Sequence, residues 1–465
     1  MNEEFKVFDA AVIGAGQSGP PLATALAKAG WQVALVERKH VGGSCINTGC
    51  TPTKTMIASA RIAHQVSRAK DYGVNVTFES LDFLKVIERK QDMVESFRDG
   101  SKKKLLSTPG LTLIEGEARF VGKKELEVDL SSNGKEFIKA DTIIINTGAG
   151  SFMPAIPGLD TADPLDSTSI MELGELPQHL VVIGGGYVGL EFGQMFHRFG
   201  SKVTIVQRGE QLLPKEDQDV AEEVANILKK EGLEILLNAD TVRVEKPAPG
   251  KVMLTVNTAE EEQKIEGSNL LVATGRVPNT AALNLESTGI ATDERGFIPV
   301  NKRLEATVPG IFAIGDVNGG PAFTHISYDD FRILRKNLLE GGNAVTSGRP
   351  LPYVVFIDPQ LGRIGLTEKA AKEIGHKYKV AKIPMSWVAR AIEIDETDGM
   401  MKVVVDAGTG KILGAAVLGV EGGEVMAILQ VAMMGGLHYS VMRDAIFSHP
   451  TISESMNTLF GMVES

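Results

Sequence analysis

One arrangement occurs twice in this chain and narrows its fold more than anything else: an apolar run, a glycine-rich turn, then a helix-spaced run closed by glycine. The first copy reads FDAAVIGAG, QSGPPLATALAKAG and WQVALVE, and the second reads LVVIGGGYVGLEFGQMFHRFGSKVTIVQR. Short apolar runs that stop at glycine predict buried strands, and the spacing that follows predicts helix. Pro20 and Pro21 are compatible with this, because proline is tolerated in a helix's first turn. At 465 residues the chain is too long for one core, so the repeat predicts two α/β domains in a chain of two to four.

Composition removes several function classes. A net charge of -11 argues against a nucleic-acid partner, which needs a basic footprint. The acidic start MNEEFKVFDA does not read as a signal peptide. No apolar run is long enough to span a membrane; the best candidate, Lys411 to Leu437, is interrupted by Glu421 and Glu424. Two cysteines do not make a secreted disulfide scaffold, and both lie in one short segment, which points to chemistry. A cytoplasmic protein with no membrane partner is the expectation.

The turns themselves carry the next inference. In Gly14-Ala15-Gly16-Gln17-Ser18-Gly19 the first glycine allows the tight turn, and the second lets backbone N–H groups reach a pyrophosphate. The third lets helix and strand pack closely. Glu37, eighteen residues after Gly19, ends the second strand where an acid accepts from ribose hydroxyls. The second copy has Gly184, Gly186 and Gly189, with Tyr187 between, but Gln207 and Arg208 stand where an acid would favour NADH. Arginine can pair with a 2′-phosphate, so NADPH is favoured over NADH. Two further strands end in Thr-Gly: one at Thr147-Gly148, the other at Gly275, where the chain is expected to cross between domains and border a cofactor.

The most specific segment is GGSCINTGCTPTK, with Gly43, Ser44, Cys45, Cys50 and Lys54. A disulfide needs Cα atoms roughly 4.4–6.8 Å apart, which a regular helix does not offer at this spacing. The pair is therefore expected on an irregular turn, for which Gly49 and Pro52 are suited. A thiol at a helix N-terminus has a lowered pKa, which favours the reactive thiolate. Farther on, TVPGIFAIGD places Asp316 at a strand's carboxyl end, where α/β sheets bind ligands. Near the C-terminus, FSHPTISE pairs His449 with Glu454, the usual way to hold an imidazole in one tautomer. His325, in FTHISYDD, is the one other histidine in a suggestive setting.

Taken together, these motifs resemble the class I flavoprotein disulfide reductases, which include glutathione reductase, dihydrolipoamide dehydrogenase and mercuric reductase. The likeness covers essentially the whole chain. It implies an α/β fold with two Rossmann-like dinucleotide-binding domains and a C-terminal α+β dimerisation domain. The implied boundaries are 1–150 and 276–348 for the FAD domain, 151–275 for the NAD(P) domain and 349–465 for dimerisation. It further implies FAD at Gly14, Gly16, Gly19, Glu37 and Asp316, a nicotinamide nucleotide at the second glycine turn, and a homodimer. Cys45 would match the thiol that exchanges with substrate and Cys50 the thiol facing the flavin. Lys54 and Glu191 would match an ion pair beside the flavin, and Tyr187 the cover of the nicotinamide pocket. His449 and Glu454 would match the acid–base pair that reaches the other subunit's disulfide.

FTHISYDDFRIL and FSHPTISESMNTLF are similar to the reactive-chlorine-resistance flavoenzymes, a mercuric-reductase-like branch linked to copper(II) reduction. The chain departs from mercuric reductases in ending LFGMVES without a second cysteine pair, and in carrying His449 where they typically have tyrosine. It also lacks their frequent N-terminal metal-binding domain, and these departures argue against mercury as the physiological acceptor. No resident metal site is expected. The leading expectation is an NAD(P)H-driven reductase of a small disulfide or metal ion. A flavin-only NAD(P)H oxidase or quinone reductase is the alternative within enzymes, and a flavin-bearing sensor the alternative outside them.

Overall fold

The computed structural model describes residues 4–463, so the first three residues of the acidic start and the last two of LFGMVES lie outside the described residues. The chain forms two compact units: one holds residues up to Thr55, Lys85–Phe152 and Gly275–Arg349, the other Met56–Leu84, Met153–Thr274 and the chain from Pro350 on.

The first unit is built on a parallel sheet whose strands run, edge to edge, Leu111–Gly122, Val33–Glu37, Phe5–Ile13, Lys135–Ile145 and Ile311–Ala313. Ala10 to Ile13 are all buried because both faces are covered, as expected of a central parallel strand. Ala10 and Val12 pack under the helix Gly19–Lys28 with Leu22 and Leu26, while Ala11 and Ile13 face a second core with Ile143 and Ile145. Leu111–Gly122 alternates buried and exposed residues along its outer half, so only one face is covered there. The strand Glu125–Leu130 pairs antiparallel with that half and with the start of Lys135–Ile145. The chain leaves and re-enters the unit along a two-stranded antiparallel ribbon, Ala149–Ser151 with Arg276–Pro278.

The second unit repeats the nucleotide architecture in a smaller parallel sheet, Asn269–Val272, His179–Ile183, Lys202–Val206 and Glu234–Leu236, with an antiparallel three-stranded sheet from Asp240 to Gly267. Its C-terminal part is a five-stranded antiparallel sheet in the order Tyr353–Val355, Gln360–Gly365, Ile412–Gly419, Met400–Asp406, Tyr378–Pro384. Met401, Val403, Ala415 and Val417 point from that sheet into a core closed by Leu429 and by Met456, Leu459 and Phe460. The fold is the mixed α/β arrangement that the repeated turns and the alternating C-terminal strands predict.

Candidate active site

The first glycine turn is shaped by contacts that exclude side chains. Gly14 has φ +104°, and a Cβ there would stand 2.4 Å from the Asn146 carbonyl oxygen. A Cβ on Gly19 would stand 2.4 Å from the Gly14 carbonyl oxygen. Glu37 Oε2 accepts from the Ala15 amide at 2.7 Å and Oε1 from the Lys39 amide at 2.8 Å, so the carboxylate braces the turn as well as marking the strand end. Asn146, which sequence reading passed over, clasps the turn from the neighbouring strand. Its Nδ2 donates to the Gly14 carbonyl at 2.9 Å and its Oδ1 accepts from Ser18 Oγ at 2.8 Å.

The cysteine segment is seated directly on this turn. Gly42 and Gly43 have φ +103° and +58°, and a Cβ on Gly43 would meet Gly16 Cα at 2.7 Å. Two hydrogen bonds fasten the pair: Gly42 N–H to the Ala15 carbonyl at 2.8 Å and Gln17 Nε2 to the Gly42 carbonyl at 2.9 Å. Ser44 and Cys45 lie in a short helix, Gly43–Asn47, and Cys50 opens the long helix Cys50–Arg68, with Thr48 and Gly49 making the break between. Asn47 holds the short helix by donating to the Val41 and Gly43 carbonyls at 3.0 and 2.9 Å, and Arg98 Nε donates to its Oδ1 at 2.7 Å. Both cysteines are free thiols, Cys45 half-buried and Cys50 exposed.

The two thiols are not equivalent. Hydrogen bonding with Cys50 and then burial push the Cys45 thiol up, against smaller opposing effects of Thr324 and Lys54. The helix-terminus argument for a lowered thiol does not reach Cys45, which lies inside the short helix Gly43–Asn47 with its sulfur tied to a second sulfur. Only Cys50 occupies the N-terminus of a long helix, and its Sγ lies 3.3 Å from Thr324 Oγ1.

The remaining candidates of the first unit converge on the same sheet end. Thr147 Oγ1 is buried without a hydrogen-bond partner. Gly148 and Gly275 have φ +68° and +145°, next to the chain crossings. Asp316 sits in a single turn, Gly315–Asn318, directly after the strand Ile311–Ala313. Burial raises its carboxyl, with Arg276 opposing from 3.4 Å. Asp330, also missed in the sequence, is buried and accepts from the Gly315 amide at 2.9 Å.

In the second unit Gly184 and Gly189 repeat the exclusions, with a Cβ on Gly184 2.5 Å from the Ala273 carbonyl oxygen and one on Gly189 2.1 Å from that of Gly184. Gly186 faces open space, room for a phosphate to approach the backbone. Gln207 Oε1 accepts from the Gly185 amide at 2.9 Å, the counterpart of Glu37 on Ala15, and Arg208 is exposed beside it. Tyr187 begins the helix Tyr187–Phe199, and buried Glu191 within it accepts from the Phe356 amide at 2.9 Å. His449 and Glu454 are brought together: Nδ1 lies 2.8 and 2.9 Å from the two carboxylate oxygens. A carboxylate only accepts, so Nδ1 carries the proton and Nε2 of this largely exposed ring presents its lone pair. His325 stacks on Phe323 at 5.5 Å. Among the described residues no group of three or more His, Cys, Asp or Glu is arranged to hold a metal ion, and no helix is long and apolar enough to cross a membrane.

Two nucleotide-binding turns and a cysteine pair packed on the first define a two-nucleotide redox enzyme. Comparison with known proteins specifies the class. The chain matches the pyridine nucleotide-disulphide oxidoreductase family over residues 8–330 and that family's dimerisation domain over residues 351–460. It is 41% identical over 461 residues to the "Probable pyridine nucleotide-disulfide oxidoreductase RclA" of Escherichia coli (strain K12), covering 98% of this chain and 99% of that protein. It is 37% identical to a dihydrolipoyl dehydrogenase of Thermus scotoductus, over 97% of this chain and 96% of that one. A mercuric reductase of Bacillus cereus is 35% identical, over 97% of this chain and 70% of that one. The solved Cu(II) complex of the HOCl-induced flavoprotein disulfide reductase RclA from Escherichia coli superimposes with a TM-score of 0.90, over 100% of both chains at 41% identity. The chain therefore belongs to the pyridine nucleotide-disulphide oxidoreductases, enzymes that use FAD and a nicotinamide nucleotide. The first unit fits FAD: its bare glycine turn, the partnerless Thr147 hydroxyl and the desolvated Asp316 carboxyl are groups that a bound dinucleotide would satisfy.

Proposed function

We propose that this enzyme spends NADPH to reduce a small disulfide or a metal ion, copper(II) first among metals, by way of the Cys45–Cys50 pair. The observation that carries this is the seating of Gly43 on Gly16, which puts the sulfur-bearing segment against the turn that receives FAD. Bound there, FAD would supply the hydride acceptance from the nicotinamide and the two-electron delivery that a sulfur pair needs. Gly14, Gly16, Gly19 and Glu37 hold its pyrophosphate and ribose end, with Thr147, Gly148, Gly275 and Asp316 along the same sheet end. Gly184, Gly186 and Gly189 receive the nucleotide, and Arg208 with Gln207 favours its 2′-phosphate.

With the pair reduced, Cys45 attacks an acceptor sulfur, and the displaced thiolate takes a proton managed by His449, whose tautomer Glu454 fixes. Cys50 then attacks Cys45 Sγ, which closes the intramolecular disulfide and releases the second thiol. With copper(II) the dithiol instead gives one electron to each of two ions and loses its two protons as the disulfide forms. Copper is favoured because the similar flavoprotein RclA is solved as a Cu(II) complex and this chain keeps the two-cysteine segment. The assembly is a homodimer through the C-terminal part, and a reducing cytoplasm suits a pair that works as free thiols.

The test is a steady-state NADPH-oxidation screen across low-molecular-weight disulfides, lipoamide, Cu(II), Hg(II), quinones and oxygen. Cys45→Ser and Cys50→Ser should each lose reduction of the best acceptor while residual oxygen reduction persists. Wild-type rates in both variants would leave the flavin-only oxidase as the better reading.

A further inference from the structure

Thr324 opens the helix Thr324–Leu339, and its Oγ1 stands 3.3 Å from Cys50 Sγ. Either atom can donate while both are protonated. Once Cys50 is a thiolate, only the hydroxyl has a proton to give. The same hydroxyl also acts on Cys45, where it opposes the upward push of Cys50 and of burial. Thr324 thus contacts Cys50 Sγ directly and acts on Cys45 as well.

Its place is fixed from within the unit. Asp330, on the same helix, accepts from the Gly315 amide at 2.9 Å and from Arg349 Nη1 at 2.6 Å. Asp330, two turns into the helix, thereby ties the helix that carries Thr324 to the turn that bears Asp316. Sixteen residues of aligned peptide dipoles add a favourable field for negative charge at this end. Lys54, on the Cys50 helix, is the charged side chain that acts on Cys45, and it too opposes the upward push. His325, next along from Thr324, is exposed and stacks on Phe323.

We propose that Thr324 is a positioning residue of the dithiol: in the reduced pair its hydroxyl donates to Cys50 Sγ, so that the negative charge settles on Cys50 and the remaining proton on Cys45. The inference rests on the reading of Cys45 and Cys50 as the redox pair. It gives the two sulfurs their division of labour without any difference in sequence chemistry. Cys50 stores charge against a fixed donor, and half-buried Cys45 stays protonated until an acceptor and a base are present. A charge-assisted hydrogen bond is about twice as strong as a neutral one, enough to decide which of two adjacent thiols ionises first.

The test uses flavin-loaded enzyme in the Cys45→Ser background, where Cys50 titrates alone. A Cys50 thiolate facing the flavin gives a long-wavelength absorbance band, and its growth across a pH series reads the Cys50 midpoint. Adding Thr324→Val, nearly the same shape without a donor, should raise that midpoint by about one pH unit, an about tenfold loss of thiolate below it. Thr324→Ser, which keeps the hydroxyl, should restore the original midpoint at equal flavin content. Should valine dislodge the flavin, Thr324→Ala is read in the same way. A midpoint identical in the valine and serine variants overturns the role of Thr324 and leaves the redox pair standing. Absence of any band in Cys45→Ser at every pH overturns the underlying assignment of Cys50 as the flavin-facing thiol.

Discussion

At the scale of single residues, glycines were legible and their partners were not. Gly14, Gly19, Gly184 and Gly189 announce themselves because a turn that excludes Cβ admits no other residue. Asn146 does not announce itself. An asparagine at a strand end reads equally as a turn residue, and its partners Gly14 and Ser18 lie 132 and 128 residues away. Thr324 and Asp330 were hidden for the same reason, since their contacts with Cys50 and Gly315 exist only once the helix is docked. Asn146 gives this lesson a measurable form. Asn146→Ala would leave the Gly14 carbonyl and the Ser18 hydroxyl without their partner in a buried place, costing about 2–3 kcal/mol. Denaturant unfolding should show the first unit melting earlier, and the flavin-to-protein ratio after gel filtration should fall. Unchanged stability and full flavin content would mean that the clasp is replaceable by water.

At the scale of elements, the strand–turn–helix unit was readable twice because its periods and its glycines agree with the packing they end in. Its boundaries follow the apolar runs, and Pro20 and Pro21 do fall in the first helical turn. What the pattern could not give is the division of work at the second strand's end. Glu37 braces its turn with one oxygen of a carboxylate, whereas Gln207 does so with its only oxygen. The Gln207 amide nitrogen is left on the side of Gly209, where a Cβ would meet it at 2.9 Å. A donor there, beside the exposed guanidinium of Arg208, suits an acceptor-only phosphate better than a ribose diol. Arg208→Glu should therefore raise the Michaelis constant for NADPH roughly tenfold or more and that for NADH far less. Equal effects on both nucleotides would remove the argument for NADPH.

At the scale of the whole molecule, the C-terminal part carries more apolar surface than one chain can cover. The helix Gly422–Met434 buries Val425, Met426, Leu429 and Ala432 against its own sheet. Yet Val431 and Met434 on its other side are each 68% exposed, and the run continues through Leu437, Val441 and fully exposed Ile446. A helix apolar all round belongs in an interior, so its second face calls for a second layer of protein. This stretch lies within the match to the family's dimerisation domain, so another copy of the chain is the layer it is expected to meet. His449 stands three residues past Ile446, so the loop bearing this imidazole continues directly from this face. Met434→Glu places a carboxylate in the face of each subunit. Burying an unpaired charge costs several kcal/mol, and each 1.4 kcal/mol weakens association about tenfold, so the dimer should dissociate at micromolar protein. Light scattering should then report the single-chain mass of 49.8 kDa, with flavin still bound, because the residues proposed to hold FAD lie in the other unit. Acceptor reduction should fall by about tenfold or more, while direct oxygen reduction by the flavin persists. A Met434→Glu enzyme that keeps twice the chain mass and full turnover would show that this apolar face is not where the copies meet.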